Sequence, residues 1–305
     1  MPAINAAGAT EFIDRTTADV FIPEVWSLSS LVEREGTTVF GGLVDRSLER
    51  ELRVGDRIYR PSISNLGAAR TKSANTSITY VTVTETQSGG ASGHGANHNG
   101  ITVDVTTHNY QAIAIESIAK LQTDRDLMSK YSGKMGYSLG VAFDNALSAL
   151  VDDLTQEQGT LATALTYANL TRAIQYLDDA DAPGSDRHFV LSPAEAIALM
   201  SHKEFVNNDY SKLQDKFSAH PGMERAYQSS WWGLPFYRST NIEGSNSAGH
   251  DNAFFHRETF VAIMQMKPTT RHHYDIDYFA DKVAVEQVYG VKAQRTDHGV
   301  WMKGL

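Results

Sequence analysis

The sequence predicts an α+β protein, and three observations predict it. Apolar residues recur every three or four positions from Thr123 to Leu154, which is the period of an amphipathic helix. β-rich runs precede that stretch and return near the end of the chain. Strands and helices are not in regular alternation, and no repeat of solenoid period is present.

Taken in order, residues 1–20 read as an extended arm with little to bury. Phe21-Ile-Pro-Glu-Val-Trp-Ser27 is the first apolar anchor, and Pro23 suits the first turn of a short helix. Val54 to Pro61 reads as a turn and a strand, with Pro61 ending the strand or placing it on an edge. Ile78 to Thr84 is β-rich, and Gln87 to Gly100 is a glycine-rich loop with almost no apolar side chains. Ile101–Thr107 alternates as a half-buried strand, and Tyr110–Ile118 forms another. These strands carry little continuous apolar surface, so they are expected to form an extended hairpin without a core of its own.

The long helix is expected over Thr123–Leu154, with Thr123 as N-cap and Asp124 and Asp126 favoured by the helix dipole. A second helix is expected from Thr166 to Leu177, stopped by Asp181-Ala-Pro-Gly184. His188–Leu191 reads as a short buried strand. Ser192-Pro-Ala-Glu195 combines an N-cap, an N1 proline and a capping-box glutamate, opening a helix to about His202. Trp231 to Tyr237 is aromatic-rich, with Trp231-Trp232 read as packing residues. Ala253–Met264 and Lys282–Ala293 are expected to pair as strands of a returning sheet.

Composition narrows the function. The 305 residues suffice for about two domains, and 41% hydrophobic with 21% charged residues is ordinary for a globular chain. With no cysteine, disulfides and thiolate metal sites are excluded. No apolar run approaches a membrane span, and Met1 to Arg15 has no signal-peptide pattern. A net charge of -9 makes the chain a poor grip for nucleic-acid phosphates.

Gly136-Tyr-Ser138-Leu-Gly140 matches the nucleophile elbow of serine hydrolases, but that motif needs a strand before it, and Asp124 to Met135 has a helical pattern. Gly133, Gly136 and Gly140 are read instead as places where another backbone approaches the helix or where it bends. Eleven histidines raise a metal site, yet His94 and His98 lie in the glycine-rich loop, and the adjacent His272 and His273 point apart in regular structure. No metal, cofactor or dinucleotide motif is expected.

Several stretches together resemble a known family. They are Phe21–Ser27, Val54-Gly-Asp-Arg-Ile-Tyr-Arg-Pro61, and Ile101 to Ile115 leading to the long helix with Asp124, Leu127 and Tyr131. Gly233 to Asn241 follows, then Met266 to Arg295 with Tyr278-Phe-Ala-Asp281 and Tyr289-Gly-Val-Lys292. In order and spacing they resemble the major capsid proteins of tailed bacteriophages, particularly short-tailed ones. That resemblance implies a Hong Kong 97-type fold. Residues 1–51 would be the N-terminal arm and start of the peripheral (P) domain, and 52–108 the extended E-loop reaching over a neighbour. Residues 109–159 would be the P domain with its spine helix over 123–154. Residues 160–269 would be the axial (A) domain, and 270–305 the return to the P domain.

The resemblance further implies a subunit of the virion, assembled in the host bacterial cytoplasm into hexamers and pentamers of an icosahedral shell. The shell would enclose double-stranded DNA without sequence-specific binding and without a membrane. A portal protein, a separate scaffolding protein and a decoration protein are the implied partners. The scaffolding expectation rests on the short stretch before Phe21. Some relatives with this fold join a lysine to a neighbour's asparagine, and Lys72 is the only lysine before Lys120.

Acidity fits a lumen that leaves the genome mobile. The rival readings are an encapsulin-like compartment, a Ser138-dependent hydrolase, and a phage fibre or decoration protein, against which the long helix argues. Charge adds one expectation about assembly. Arg53, Arg57, Arg60, Arg70 and Lys72 belong to a basic stretch, while Asp144, Asp152, Asp153, Asp178 and Asp179 belong to an acidic one. The two are expected to attract across a subunit contact.

Overall fold

The chain order in the computed structural model, which describes residues 38–52, 54–61, 69–78, 80, 100–118, 127–199, 227–231 and 233–305, begins with α1 (Phe40–Leu43), β1 (Arg57–Pro61), β2 (Gly100–Asp104) and β3 (Thr107–Glu116). It continues with α2 (Leu127–Ser148), β4 (Gln156–Gly159), α3 (Tyr167–Asp179), β5 (Arg187–Leu191) and α4 (Pro193–Leu199). Then come β6 (Tyr227–Trp231), β7 (Leu234–Arg238), β8 (Gly244–Ser245), β9 (Gly249–His256), β10 (Phe260–Asp275), β11 (Ala280–Ala293) and β12 (Gly299–Gly304).

The long helix forms where its period places it. Met135, Leu139, Phe143 and Leu147 are buried along one stripe of α2, four residues apart as helical geometry requires. Tyr131, expected on that stripe, is exposed, because the wall it would pack against begins at Met135. The helix also ends before Leu154. Leu150 N and Val151 N donate to Leu147 O and Ser148 O at 3.2 and 3.0 Å, a tightening to three-residue bonds that releases the chain into β4. Val151 and Leu154 still face the core from that turn. The Thr123 cap lies outside the described residues, as does the glycine-rich loop up to Asn99.

A sheet of order β10-β11-β3, antiparallel throughout, lies against α2. Its odd-numbered β11 residues face the helix, where Val283 and Val285 pack with Met135, Leu139 and Ile113. Gln287 Nε2 donates to Leu139 O at 2.9 Å. The even-numbered residues face away. Near the base of that second face, Val261, Ile263 and Val288 meet Val103 and Val105 with Leu48 and Leu52. The β1–β2 pair thus has no core of its own at this base; Val103 and Val105 are buried against Leu48, Leu52 and the β10 and β11 residues of the same chain, where the sequence reading looks to a neighbour for that burial.

The larger sheet has order β4-β12-β9-β5-β7-β6, with β8 on the end of β9. Alternation along β5, β7 and β9 splits its side chains between two layers. Phe189, Leu191, Phe236 and Phe254 face α3, where Leu170, Ala173, Ile174 and Leu177 fill the opposite side. Val190, Tyr237, Ala253 and Phe255 face the C-terminal half of α2 and Phe40. That second cluster also contains Phe260, Ala262 and Tyr289, so it joins the two sheets.

Two sequence expectations need revision here. Ala253–Met264 is not one strand: a tight turn at Arg257–Thr259 divides it, so β9 enters the large sheet and β10 the small one. Ser192 does cap α4, accepting from Glu195 N at 3.1 Å, but Glu195 does not close a capping box. Its buried carboxylate accepts instead from Leu165 N at 2.9 Å and Leu305 N at 2.8 Å, while Ser192 N donates to Asn252 Oδ1. A box would use the glutamate once; here it ties two remote backbone segments together.

Candidate assembly surfaces

The first structural centre is a buried carboxylate. Asp144 projects from α2 toward the chain entering α1. Its oxygens accept from Val39 N at 3.2 and 3.1 Å, from Gly41 N at 3.2 Å and from Asn241 Nδ2 at 3.2 Å. Burial pushes its carboxyl above the ordinary carboxylate range, against the pull of those donors. Asp144 belongs to the acidic stretch expected to face a neighbour, but it is buried and engaged within its own chain.

The other predicted charges divide. Arg57 pairs with Asp104 across the hairpin, and Arg60 reaches Asp45 at 3.1 Å and Gln294 Oε1 at 2.9 Å. Asp178 pairs with Arg187 at 2.6 Å. These three therefore serve within the chain, and the basic hairpin has less free charge than a count suggests. Arg70, Lys72, Asp152, Asp153 and Asp179 are exposed. Arg53 lies outside the described residues. No arrangement within one chain brings the exposed members of the two stretches together among the described residues.

The turn between β10 and β11 carries what charge counting missed. Ile276, Tyr278 and Phe279 are 71%, 70% and 65% exposed, and Ile118 beside them is 66% exposed. This turn is built, not loose. Asp277 N donates to Asp275 Oδ1 at 2.9 Å, and both Ser117 N and Ser117 Oγ donate to Phe279 O, at 2.9 and 2.8 Å. Lys282 pairs with Asp275 and lies 4.8 Å from the Tyr278 ring centroid. Phe279 holds φ at 45°, a left-handed conformation that a bulky residue adopts only when its surroundings impose it. Four large apolar side chains exposed together on a hydrogen-bonded turn make a candidate contact patch. The sequence signal was Tyr274-Asp-Ile-Asp-Tyr-Phe279, rich in apolar residues where a turn is otherwise polar.

Catalytic and metal readings find no support in this geometry. Ser138 sits inside α2 and donates to Met135 O at 3.0 Å, on a helix and not on a strand-to-helix turn. His272 and His273 lie on opposite faces, in register with Val283 and Lys282 respectively. Among the described residues no group of three potential metal ligands occurs, and no helix is long and apolar enough to cross a membrane. His94 and His98 lie outside the described residues.

No family model matches the sequence, and no curated protein matches it. Solved structures do. A structure from Mycobacterium phage Che8 is 19% identical, with a TM-score of 0.71, over 93% of this chain and 97% of that one. The capsid structure of the cyanophage P-SCSP1u is 15% identical, with a TM-score of 0.69, over 99% and 96%. The mature capsid of bacteriophage PhiM1 is also 15% identical, with a TM-score of 0.62, over 93% and 92%. The chain thus has the mixed helix-and-sheet fold of phage capsid chains, matched nearly end to end.

Proposed function

We propose that this chain is the major subunit of a phage head, assembling with copies of itself into an icosahedral shell around double-stranded DNA. The observation that supports this most is the near full-length likeness to phage capsid structures, over 93–99% of this chain and 92–97% of theirs. In this reading α2 is the spine helix of a P domain whose sheet is β10-β11-β3. The β1–β2 pair is the base of the E-loop, and the sheet carrying α3 is the A domain. The expected partners are a scaffolding protein, a portal protein and a decoration protein, and the protein resides in the virion after assembly in the host cytoplasm. Its work is structural, and Ser138 is a helix residue without a catalytic role.

The test is negative-stain microscopy of the purified full chain under crowding conditions. Capsomers, curved lattice sheets or shells are the expected result, and a chain that stays monomeric under every condition overturns the reading. Well-formed closed heads from the pure subunit would overturn the scaffolding part alone.

The exposed turn supplies a second measurement. Changing Ile276→Ser together with Tyr278→Ser should leave subunit stability within about 0.5 kcal/mol, because exposed side chains contribute little to folding. The same variant should lose lattice formation. Unaltered assembly would remove this turn from the contact surface.

A further inference from the structure

The sheet β10-β11-β3 has two outer edges, and they are built differently. The β10 edge is interrupted by register shifts between Met264, Met266 and Thr269, and it carries Lys267 and Pro268 there. Bulges, lysine and proline are the devices that keep an edge from pairing with another chain. The β3 edge has none of them. Thr107–Glu116 contains no proline, glycine, lysine or arginine, and pairs with β11 over ten residues without a shift. Among the described residues nothing pairs with its outer side. Seven of its ten residues are exposed: Thr107, His108, Tyr110, Gln111, Ala112, Ala114 and Glu116.

We infer that β3 pairs antiparallel with β3 of a second copy of this chain, with Ala112 opposite Ala112 across a two-fold axis. This rests on the shell-subunit reading for why copies meet. The residue pattern supplies the register. Residues whose numbers sum to about 224 stand opposite one another when 112 faces itself. Tyr110, the one large apolar side chain on the β3 face away from α2, then lies beside the small Ala114. His108, whose Nε2 already meets Glu286 Oε2 of its own chain at 3.0 Å, stands opposite Glu116. Gln111 faces Ile113, and Asn109 faces Ile115. Large against small repeats on both sides of the axis, as an isologous contact requires. One strand pair is smaller than the roughly 800 Å² per partner of a stable interface, so the contact suits a lattice in which many weak contacts add.

The absence of cysteine makes the test clean. Ala112→Cys is oxidised in the full chain, as free protein at its highest soluble concentration and in any particles it forms. Opposite residues of an antiparallel pair bring their Cβ atoms to about 5 Å, within reach of a disulfide. A covalent dimer that disappears on reduction is expected. Tyr110→Cys alone should give none, since its copies stand roughly 13 Å apart along the strands. Tyr110→Cys combined with Ala114→Cys should restore it. No dimer from Ala112→Cys, or equal dimer from Tyr110→Cys, overturns the register and the proposal.

The second variant, Ala112→Lys with Ala114→Lys, places like charges across the axis. It should keep the circular dichroism and melting of the parent but lose assembly, and normal assembly would also overturn the proposal. Microscopy and gel read separately: particles without the disulfide reject only the β3 contact, whereas no particles under any condition rejects the shell reading.

Discussion

Replacing Asp144 by alanine is expected to destabilise the folded subunit by about 2–4 kcal/mol, because it strands one buried and two half-buried donors at once. Val39 N, Gly41 N and Asn241 Nδ2 all lose their acceptor; Val39 is buried away from water, whereas Gly41 and Asn241 are half-buried. The segment released is Val39–Val44, whose Phe40 stacks 6.0 Å from Phe255 of the large sheet. Denaturant melts of the full chain measure the loss. Asp144→Asn adds the pH dependence.

Burial holds the Asp144 carboxyl above its ordinary value of 3.8. A raised folded value means that the group's favourable contribution is full below the unfolded value and is lost as pH rises through the folded one. Asparagine does not titrate, so the advantage of the parent over Asp144→Asn should be larger at pH 4.5 than at pH 7. An advantage that shrinks on acidification would show that the hydrogen bonds outweigh burial.

Much of the fold was legible because its signals are local. The four-residue spacing of Met135, Leu139, Phe143 and Leu147 needs no partner to be read. Thr166 before Tyr167 and Ser192 before Pro193 each hold the amide three residues on, as their side chains predict. Signals that depend on distant chain were not legible. Nothing near Glu195 in sequence reveals that Leu165 and Leu305 will present their amides to it. Nothing near His256 reveals that β9 and β10 belong to different sheets, since both sides of the turn are equally rich in apolar residues.

The candidate contact surfaces were legible only in part, for a related reason. Net charge along a stretch counts residues without asking which are already engaged. Arg57, Arg60, Asp144 and Asp178 all found partners inside the chain, through Asp104, Asp45, Val39 and Arg187. The proposed charge contact then has Arg70, Lys72, Asp152, Asp153 and Asp179 as its exposed members, and an exposed single ion pair contributes only about 0–1 kcal/mol. The apolar turn at Ile276–Phe279 and the unguarded β3 edge are properties of exposure and pairing, which composition does not contain.

Gly290→Ala is expected to cost about 2–4 kcal/mol, an unusually large effect for one methyl group. At Gly290 the β11 backbone passes directly beneath the chain leaving β2. A Cβ there would overlap the carbonyl oxygen of Asp104 and stand 3.0 Å from Val105 Cα. Neither atom can retreat freely: Val105 N donates to Asp56 O at 2.7 Å, and the Val103 and Val105 side chains are wedged among Val261, Ile263 and Leu52. The hairpin base must therefore lift off the small sheet, exposing that cluster.

The comparison that isolates this mechanism is Gly133→Ala. It adds the same methyl group to α2, where nothing of the described chain lies within 4 Å of the new atom. That variant should gain up to about 1 kcal/mol from helix propensity. Melting curves of the two variants should move in opposite directions, and amide exchange at Val103 and Val105 should quicken only in Gly290→Ala. Parent-like melting and exchange in Gly290→Ala would mean that the hairpin base is not seated by this crossing.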